Sequence, residues 1–223
     1  MIDIKQQEEL FIAIGNALEK KIVIYTIGGT AMMLRSLKDA TLDVDFVFDK
    51  KSDRDEFIIS LKKLGAKESN ITLIYGVKKN TPLMLTLMDC RFDLFMNKII
   101  TSTFSDKMKE RANQMHEFGK NLIVRSADPC DVIIMKSATS REKDLDDITM
   151  IVKKTSINWN ILVNEAENQV KLGNESAILT LGERLEKLNN SKAIEIPKSV
   201  LDSLFNLLKR QVKKKIRKNS KDL

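Results

Sequence analysis

Two aspartates, Asp43 and Asp45, alternate with apolar residues shortly after a double glycine, Gly28-Gly29. On a β-strand, residues i and i+2 point to the same face, about 6.5–7 Å apart at the backbone. The two carboxylates can therefore converge on divalent cations, while the apolar residues beside them enter the core. A glycine turn lets the backbone approach a ligand closely, and a polyphosphate is the natural ligand. This pattern indicates phosphoryl or nucleotidyl transfer.

A third carboxylate occurs in a similar setting, at Asp93 between Phe92 and Leu94. On a strand next to the first, it would complete a two-metal site for in-line displacement at phosphorus. Asp89 is the competing candidate, but Asp93 fits the apolar alternation better. The alternative for the first pair is a surface strand whose exposed positions happen to be aspartate. Because aspartate is depleted in strands, that alternative needs a separate reason.

Taken together, these residues resemble the signature of the DNA polymerase β-type nucleotidyltransferase superfamily. A second block, Lys136-Ser137-Ala138 followed by residues 141–148, is similar to small stand-alone members related to the AbiEii-type toxins of abortive-infection and toxin–antitoxin systems. In that group, a lysine on one helix and an aspartate on the next support nucleotide binding and transfer. The resemblance covers about residues 20–150.

The resemblance implies a metal-dependent enzyme that moves a nucleoside monophosphate from a nucleoside triphosphate, ATP included, to a hydroxyl acceptor. Asp43, Asp45 and Asp93 would be catalytic and would hold two Mg²⁺ ions, with Mn²⁺ as the alternative ion. The residues implied to bind the nucleotide are Gly28, Gly29, Thr30, Lys136 and Asp144. An RNA or tRNA end, a hydroxyl on a partner protein and an aminoglycoside-like molecule are the acceptors that stay open.

One position departs from the resembling families, which often carry an arginine where this chain has Asp39. Arg35 and Lys38 lie nearby on the preceding predicted helix and could replace the missing basic group. The departure also supports a second hypothesis from another functional class. The chain would then be a catalytically weak interaction module of a toxin–antitoxin pair, with a cognate antitoxin protein as its partner.

The composition is ordinary for a soluble globular protein, with 223 residues, 43% hydrophobic and 31% charged. No apolar run approaches the roughly 20 residues that cross a bilayer, and the polar N-terminus does not resemble a signal peptide. Two cysteines give no disulfide framework or zinc spacing, and a single histidine argues against histidine-based metal or triad chemistry. We therefore expect no membrane partner and a cytoplasmic location.

The net charge of +7 is concentrated at the C-terminus. Residues 209–223 contain eight basic residues and one acid, whereas the rest of the chain has equal numbers of each. Such a tail favours polyanions such as RNA or tRNA through phosphate contacts. The alternative is a solvated helix end whose cations lie at the negative pole of the helix dipole.

The apolar patterns predict an α/β fold, a nucleotidyltransferase (polymerase β-like) mixed-sheet core with a helical C-terminal domain. The predicted domains are residues 1–127, the core, and 128–223, the helical domain with its basic tail. Ser140 is predicted to cap one of the C-terminal helices. The elements predicted for the first domain include helices 3–20, 30–38 and 105–116, and strands 22–27, 71–76, 83–88, 91–96 and 121–126.

Overall fold

The computed structural model describes residues 1–76, 78–139 and 141–219. The helices are α1 Ile4–Ala17, α2 Gly28–Leu34, α3 Lys51–Lys63, α4 Thr72–Tyr75, α5 Asp106–Arg111, α6 Pro129–Ser137, α7 Glu142–Lys154, α8 Trp159–Lys171, α9 Glu175–Asn190 and α10 Lys198–Asn219. The strands are β1 Ile2–Asp3, β2 Ile22–Thr26, β3 Ala40–Thr41, β4 Asp43–Phe48, β5 Lys67–Glu68, β6 Leu83–Leu87, β7 Cys90–Met96, β8 Lys98–Ile99, β9 Ser102–Thr103, β10 Gln114–Phe118 and β11 Leu122–Ser126.

Two of the sequence predictions fall on residues that the structure does not describe. Ser140, the predicted helix cap, lies outside the described residues, as do residues 220–223 at the end of the basic tail. Within the described part of the chain, no helix is both long enough and apolar enough to cross a membrane.

The chain divides into two compact units. The first comprises Met1–Ile100 and Phe104–Asp128, and the second comprises Thr101–Thr103 and Pro129–Leu223. The domain boundary after residue 127 stays a prediction from the sequence.

A mixed sheet forms the centre of the first unit. Among the described residues it has seven strands in the order β10-β11-β2-β4-β7-β6-β5. Strand β4 is central, antiparallel to β2 on one side and parallel to β7 on the other. The mixed sheet with its accompanying helices confirms the predicted α/β class.

One face of β4 carries only buried apolar side chains, whereas the other carries two aspartates, and this difference determines the register of the strand. Val44, Phe46 and Phe48 are fully buried on one face. The Phe46 ring lies 5.2 Å from that of Phe11 on α1 and 5.3 Å from that of Phe57 on α3. A register slip of one residue would carry these rings to the opposite face, so the packing specifies the register. Asp43 and Asp45 are thereby held on the other face.

Two predicted elements of the first unit were wrong. The predicted strand 71–76 is instead the short helix α4, which ends before Gly76 in the left-handed region (φ +59°). A short apolar run fits a helix turn as well as a strand, so periodicity alone could not decide. The predicted helix 105–116 ends at Arg111, and Gln114–Phe118 forms edge strand β10 against β11.

The second unit is helical from α6 onward, and α6 begins at Pro129. Its core contains fully buried aliphatic residues, among them Ile133, Ile148 and Leu162. The buried Gln169 amide binds the backbone of Thr103 twice: Thr103 N donates to Oε1 (3.0 Å) and Nε2 donates to the Thr103 carbonyl (2.8 Å). This paired contact fixes the Thr101–Thr103 segment onto α8.

Candidate active site

The three predicted catalytic aspartates lie on one face of two neighbouring strands. In the parallel pair β4–β7, Asp43 is opposite Arg91 and Asp45 is opposite Asp93. Because side chains two residues apart share a face, all four side chains project from the same side of the sheet. The structure therefore brings together the three carboxylates and adds a guanidinium. Asp89, the competing third acid, is exposed in the turn between β6 and β7.

Arg91 bonds to two of the three carboxylates. Its Nε donates to Asp93 Oδ1 and its Nη2 to Asp93 Oδ2, both at 3.0 Å, and Nη2 also donates to Asp43 Oδ2. This forked geometry is the strong form of an arginine–carboxylate pair. Burial alone would lower the pKa of Arg91, but the charges of Asp93 and Asp43 outweigh burial and raise it.

Asp93 is the most enclosed of the carboxylates, with no exposed surface. Burial raises its pKa, and the hydrogen bond from Tyr75 and the charge of Arg91 offset only part of that effect. Tyr75 donates its hydroxyl hydrogen to Asp93 Oδ2 at 2.7 Å. Burial, together with the charges of Asp93 and Asp45, raises the pKa of Tyr75 as well, so its hydroxyl is protonated at neutral pH. A raised carboxyl pKa favours proton acceptance, which suits a general base.

The double glycine is required by the approach of α2 to the acidic strand. Gly28 has φ +58°, and a Cβ there would lie 2.4 Å from Asp45 Oδ2. A Cβ on Gly29 would lie 2.4 Å from Thr41 Oγ1. The backbone at the start of α2 therefore sits directly against the Asp45 carboxylate. The sequence predicted that this turn approaches a polyphosphate, and that contact stays a prediction.

Thr30 joins α2 to β4 through its side chain. The buried hydroxyl accepts a hydrogen bond from Asp45 N at 3.0 Å and donates to the Asp43 carbonyl at 3.5 Å. Ile27 is the N-cap residue of α2, and Thr30 lies within the first turn of this helix. Its predicted contact with nucleotide stays a prediction.

The carboxylates fit a divalent cation in ligand type and in charge. Mg²⁺ prefers hard oxygen ligands. The three aspartates also carry more negative charge than the single Arg91 guanidinium neutralises. Within the described ranges, however, no group of three or more acidic, histidine or cysteine side chains is arranged to hold a metal ion. Asp43 and Asp93 would hold a cation only after the Arg91 side chain releases them.

Lys136 and Asp144 lie together in the second unit, in a buried ion cluster. Lys136 Nζ donates to Asp144 Oδ1 at 3.2 Å and to Asp147 Oδ2, and its side chain is only 6% exposed. Asp144 also accepts hydrogen bonds from Thr139 and Arg141. Burial acts to raise the pKa of Asp144, but the charge of Lys136 and these hydrogen bonds prevail and lower it. Asp144 and Asp147 therefore form buried ion pairs with Lys136.

Sequence reasoning missed two residues of the site, Arg91 and Tyr75. Arg91 lies two positions before Asp93 on a predicted strand, and this spacing was sufficient to place both on one face. No sequence pattern linked Tyr75 to the aspartates, and its segment was predicted as a strand instead of helix α4. Arg35, considered as a substitute phosphate ligand, donates to the backbone carbonyls of Ser126 and Ala127.

Comparison with known proteins places the sequence in a family. Residues 2–190 match the family described as "Nucleotidyltransferase of unknown function (DUF6036)". No curated protein matches the sequence.

Similar solved structures include ANT(2″)-Ia in complex with adenylyl-2″-tobramycin. It has 13% identity and a TM-score of 0.46, over 81% of this chain and 98% of that one. JHP933 from Helicobacter pylori has 15% identity and a TM-score of 0.41, over 97% of this chain and 94% of that one. Both TM-scores are below 0.5, so the family match alone carries the assignment.

The contact between Gly28 and Asp45 predicts that alanine destabilises the protein at Gly28 but not at Gly182. Gly28→Ala forces a side chain into a left-handed backbone and against a carboxylate, so we expect a loss of about 2 kcal/mol or more in the free energy of unfolding. Gly182→Ala is the matched control, because a Cβ there meets nothing within 4 Å and alanine favours the helix by up to about 1 kcal/mol. Urea denaturation measures both, and equal stability of the two variants would contradict this account of Gly28.

The buried cluster around Asp144 predicts an acid-sensitive contribution to stability. Because the folded-state pKa of Asp144 is lowered, its contribution is present above the ordinary aspartate pKa of 3.8 and is lost as pH falls through the lower folded value. Asp144→Asn should cost about 3 kcal/mol at pH 7, since it leaves Lys136 with one carboxylate fewer, and should flatten this acid dependence. Asp146→Asn, exposed on the same helix, is the control. Urea midpoints between pH 2 and 7 test this, and parallel pH profiles for wild type and Asp144→Asn would refute it.

Proposed function

The chain belongs to the nucleotidyltransferase family DUF6036, and on that premise we propose that it moves a nucleoside monophosphate from a nucleoside triphosphate to a hydroxyl acceptor in a metal-dependent reaction. One observation carries this proposal: Asp43, Asp45 and Asp93 share a face of two adjacent strands, directly beside Gly28. Two carboxylates directly opposite each other weaken a sheet, so a purely structural sheet gains nothing from them.

Each carboxylate has a role in this proposal. Bound at Asp43, Asp45 and Asp93, Mg²⁺ or Mn²⁺ would lower the pKa of the acceptor hydroxyl and neutralise charge at the α-phosphate. Asp93 Oδ2 already accepts a hydrogen bond from a hydroxyl group in this structure, so we assign it the acceptor's proton. The backbone at Gly28-Gly29 and the start of α2 would hold the triphosphate.

The remaining ligands and partners are proposed from the family resemblance and from the charge of the C-terminal tail. Lys136 and Asp144 are assigned to nucleotide binding from the resemblance, with Asp144 orienting the ammonium group. ATP is a proposed substrate among the nucleoside triphosphates. RNA or tRNA is the proposed acceptor because the basic tail favours polyanions, and the proposed location is the cytoplasm.

Nucleotidyl transfer is tested with labelled nucleoside triphosphates, Mg²⁺ and total RNA. The wild-type protein should label an acceptor, and Asp45→Asn should reduce labelling by at least about 100-fold because a metal ligand is lost. Asp89→Asn changes an exposed acid in the turn between β6 and β7, and it should leave labelling unchanged. If the wild-type protein bound no nucleotide with either Mg²⁺ or Mn²⁺, the proposal would be wrong.

The interaction module of a toxin–antitoxin pair is the second candidate function. Two observations favour it: Asp39 is exposed where related families often carry arginine, and Arg91 already pairs with Asp43 and Asp93. In that case the Arg91 pairs are permanent and structural, and the antitoxin is the partner. In the favoured case a divalent cation replaces Arg91 at the carboxylates.

The response of an Arg91 variant to Mg²⁺ separates the two functions. Arg91→Leu leaves buried carboxylates without their counter-charge, so we expect a loss of about 3 kcal/mol without metal. Mg²⁺ at 100 times its dissociation constant should then restore about 2.7 kcal/mol. Arg125→Leu is the control, because Arg125 donates to the Ala112 carbonyl and lies over the Tyr25 ring. Thermal denaturation with and without Mg²⁺ measures the effect, and an Arg91 variant indifferent to Mg²⁺ would favour the interaction module.

A further inference from the structure

Tyr75 is held over the acidic face of β7. Its ring meets that of Phe95 edge-on at a centroid distance of 6.3 Å, and its hydroxyl reaches Asp93 Oδ2 at 2.7 Å. Phe95 and Asp93 are two residues apart on the same strand, so they share a face. Hydrogen bonds from the Tyr75 amide to the Ile71 carbonyl (2.9 Å) and from the Lys78 amide to the Tyr75 carbonyl (3.3 Å) fix the backbone around the tyrosine.

The Tyr75 hydroxyl thus meets the distance requirement between an acceptor and the group that takes its proton. An acceptor hydroxyl must lie within hydrogen-bonding distance of the group that takes its proton, about 2.6–3.2 Å. The carboxylate that receives the Tyr75 hydrogen bond is the one assigned that role.

We propose that Tyr75 is itself an acceptor, so that the chain attaches one nucleoside monophosphate to its own Tyr75 hydroxyl. This inference rests on the proposed function and adds a modification site to it. The Tyr75 oxygen forms a bond to the α-phosphorus, the bond between that phosphorus and the α,β-bridging oxygen breaks, and pyrophosphate leaves. The phenolic proton passes to Asp93 Oδ2. The product is a tyrosyl phosphodiester.

The chain offers an internal comparison, because it contains two tyrosines. Tyr25 lies on β2, where its ring packs against Phe104 at 5.2 Å and beneath the Arg125 guanidinium at 5.5 Å. No carboxylate hydrogen bond to the Tyr25 hydroxyl is seen among the described residues. The two tyrosines therefore share their chemistry but differ in their access to a base, and only Tyr75 should be modified.

The test is mass spectrometry of the full chain, as purified and after incubation with Mg²⁺ and each nucleoside triphosphate in turn. We expect a mass increase of one nucleoside monophosphate, found in the tryptic peptide 68–78. Fragment spectra place the adduct on Tyr75 and not on Ser69 or Thr72 of the same peptide. The adduct should be lost in Tyr75→Phe and in Asp45→Asn, and kept in Tyr25→Phe. Circular dichroism verifies that each variant is folded.

The outcomes separate this inference from the proposed function. Labelling of RNA or another acceptor with no adduct on Tyr75 would overturn the inference and leave the proposed function intact. An adduct elsewhere on the chain that persists in Tyr75→Phe would also overturn it. Absence of nucleotide binding and of all transfer would overturn both. Because localisation in the wild-type chain does not depend on any variant, a misfolded Tyr75→Phe would leave the test decisive.

Discussion

Asp45 and Asp93 lie directly opposite each other on neighbouring parallel strands. The repulsion between these two carboxylates is the main electrostatic cost that the surrounding side chains must offset. Like charges in opposed positions destabilise a sheet, and burial of Asp93 adds a desolvation cost. Arg91 offsets part of this cost by bonding to Asp93 and Asp43. The charge of Arg91 therefore lowers the cost of placing Asp43 and Asp93 on one face of the sheet.

Much of the fold was predictable because the apolar pattern is strong where the elements are long. The alternation along β4 identified both the strand and its acidic face. Prediction failed where an apolar run was short, and where tertiary packing decided which apolar residues of a helix are buried. Phe205 lies in the apolar spacing of α10, yet this residue is 56% exposed and its ring lies beneath Lys209. Periodicity locates a helix more reliably than it locates the partner that covers each residue.

Only the part of the site that lies on a single strand was predictable, because residues two apart on a strand share a face. Asp43 and Asp45 could be paired from their spacing, but their opposition to Arg91 and Asp93 depends on the pairing of β4 with β7. Strand pairing between distant segments is a tertiary property that no local pattern contains. The same limit explains Tyr75, which reaches Asp93 from a segment whose own pattern suggested another element.

The position of the acidic residues on central strands ties the site to the order in which the chain folds. Asp43 and Arg91 are separated by 48 residues, so their meeting requires closure of a long loop. Contacts of such separation form late and cooperatively relative to local helices. In a partly folded chain Asp93 and Arg91 therefore lie apart from Asp43 and Asp45, and the assembled group belongs to the native state alone. Synthesis and degradation intermediates of this protein would be without the group, whatever chemistry the native chain performs.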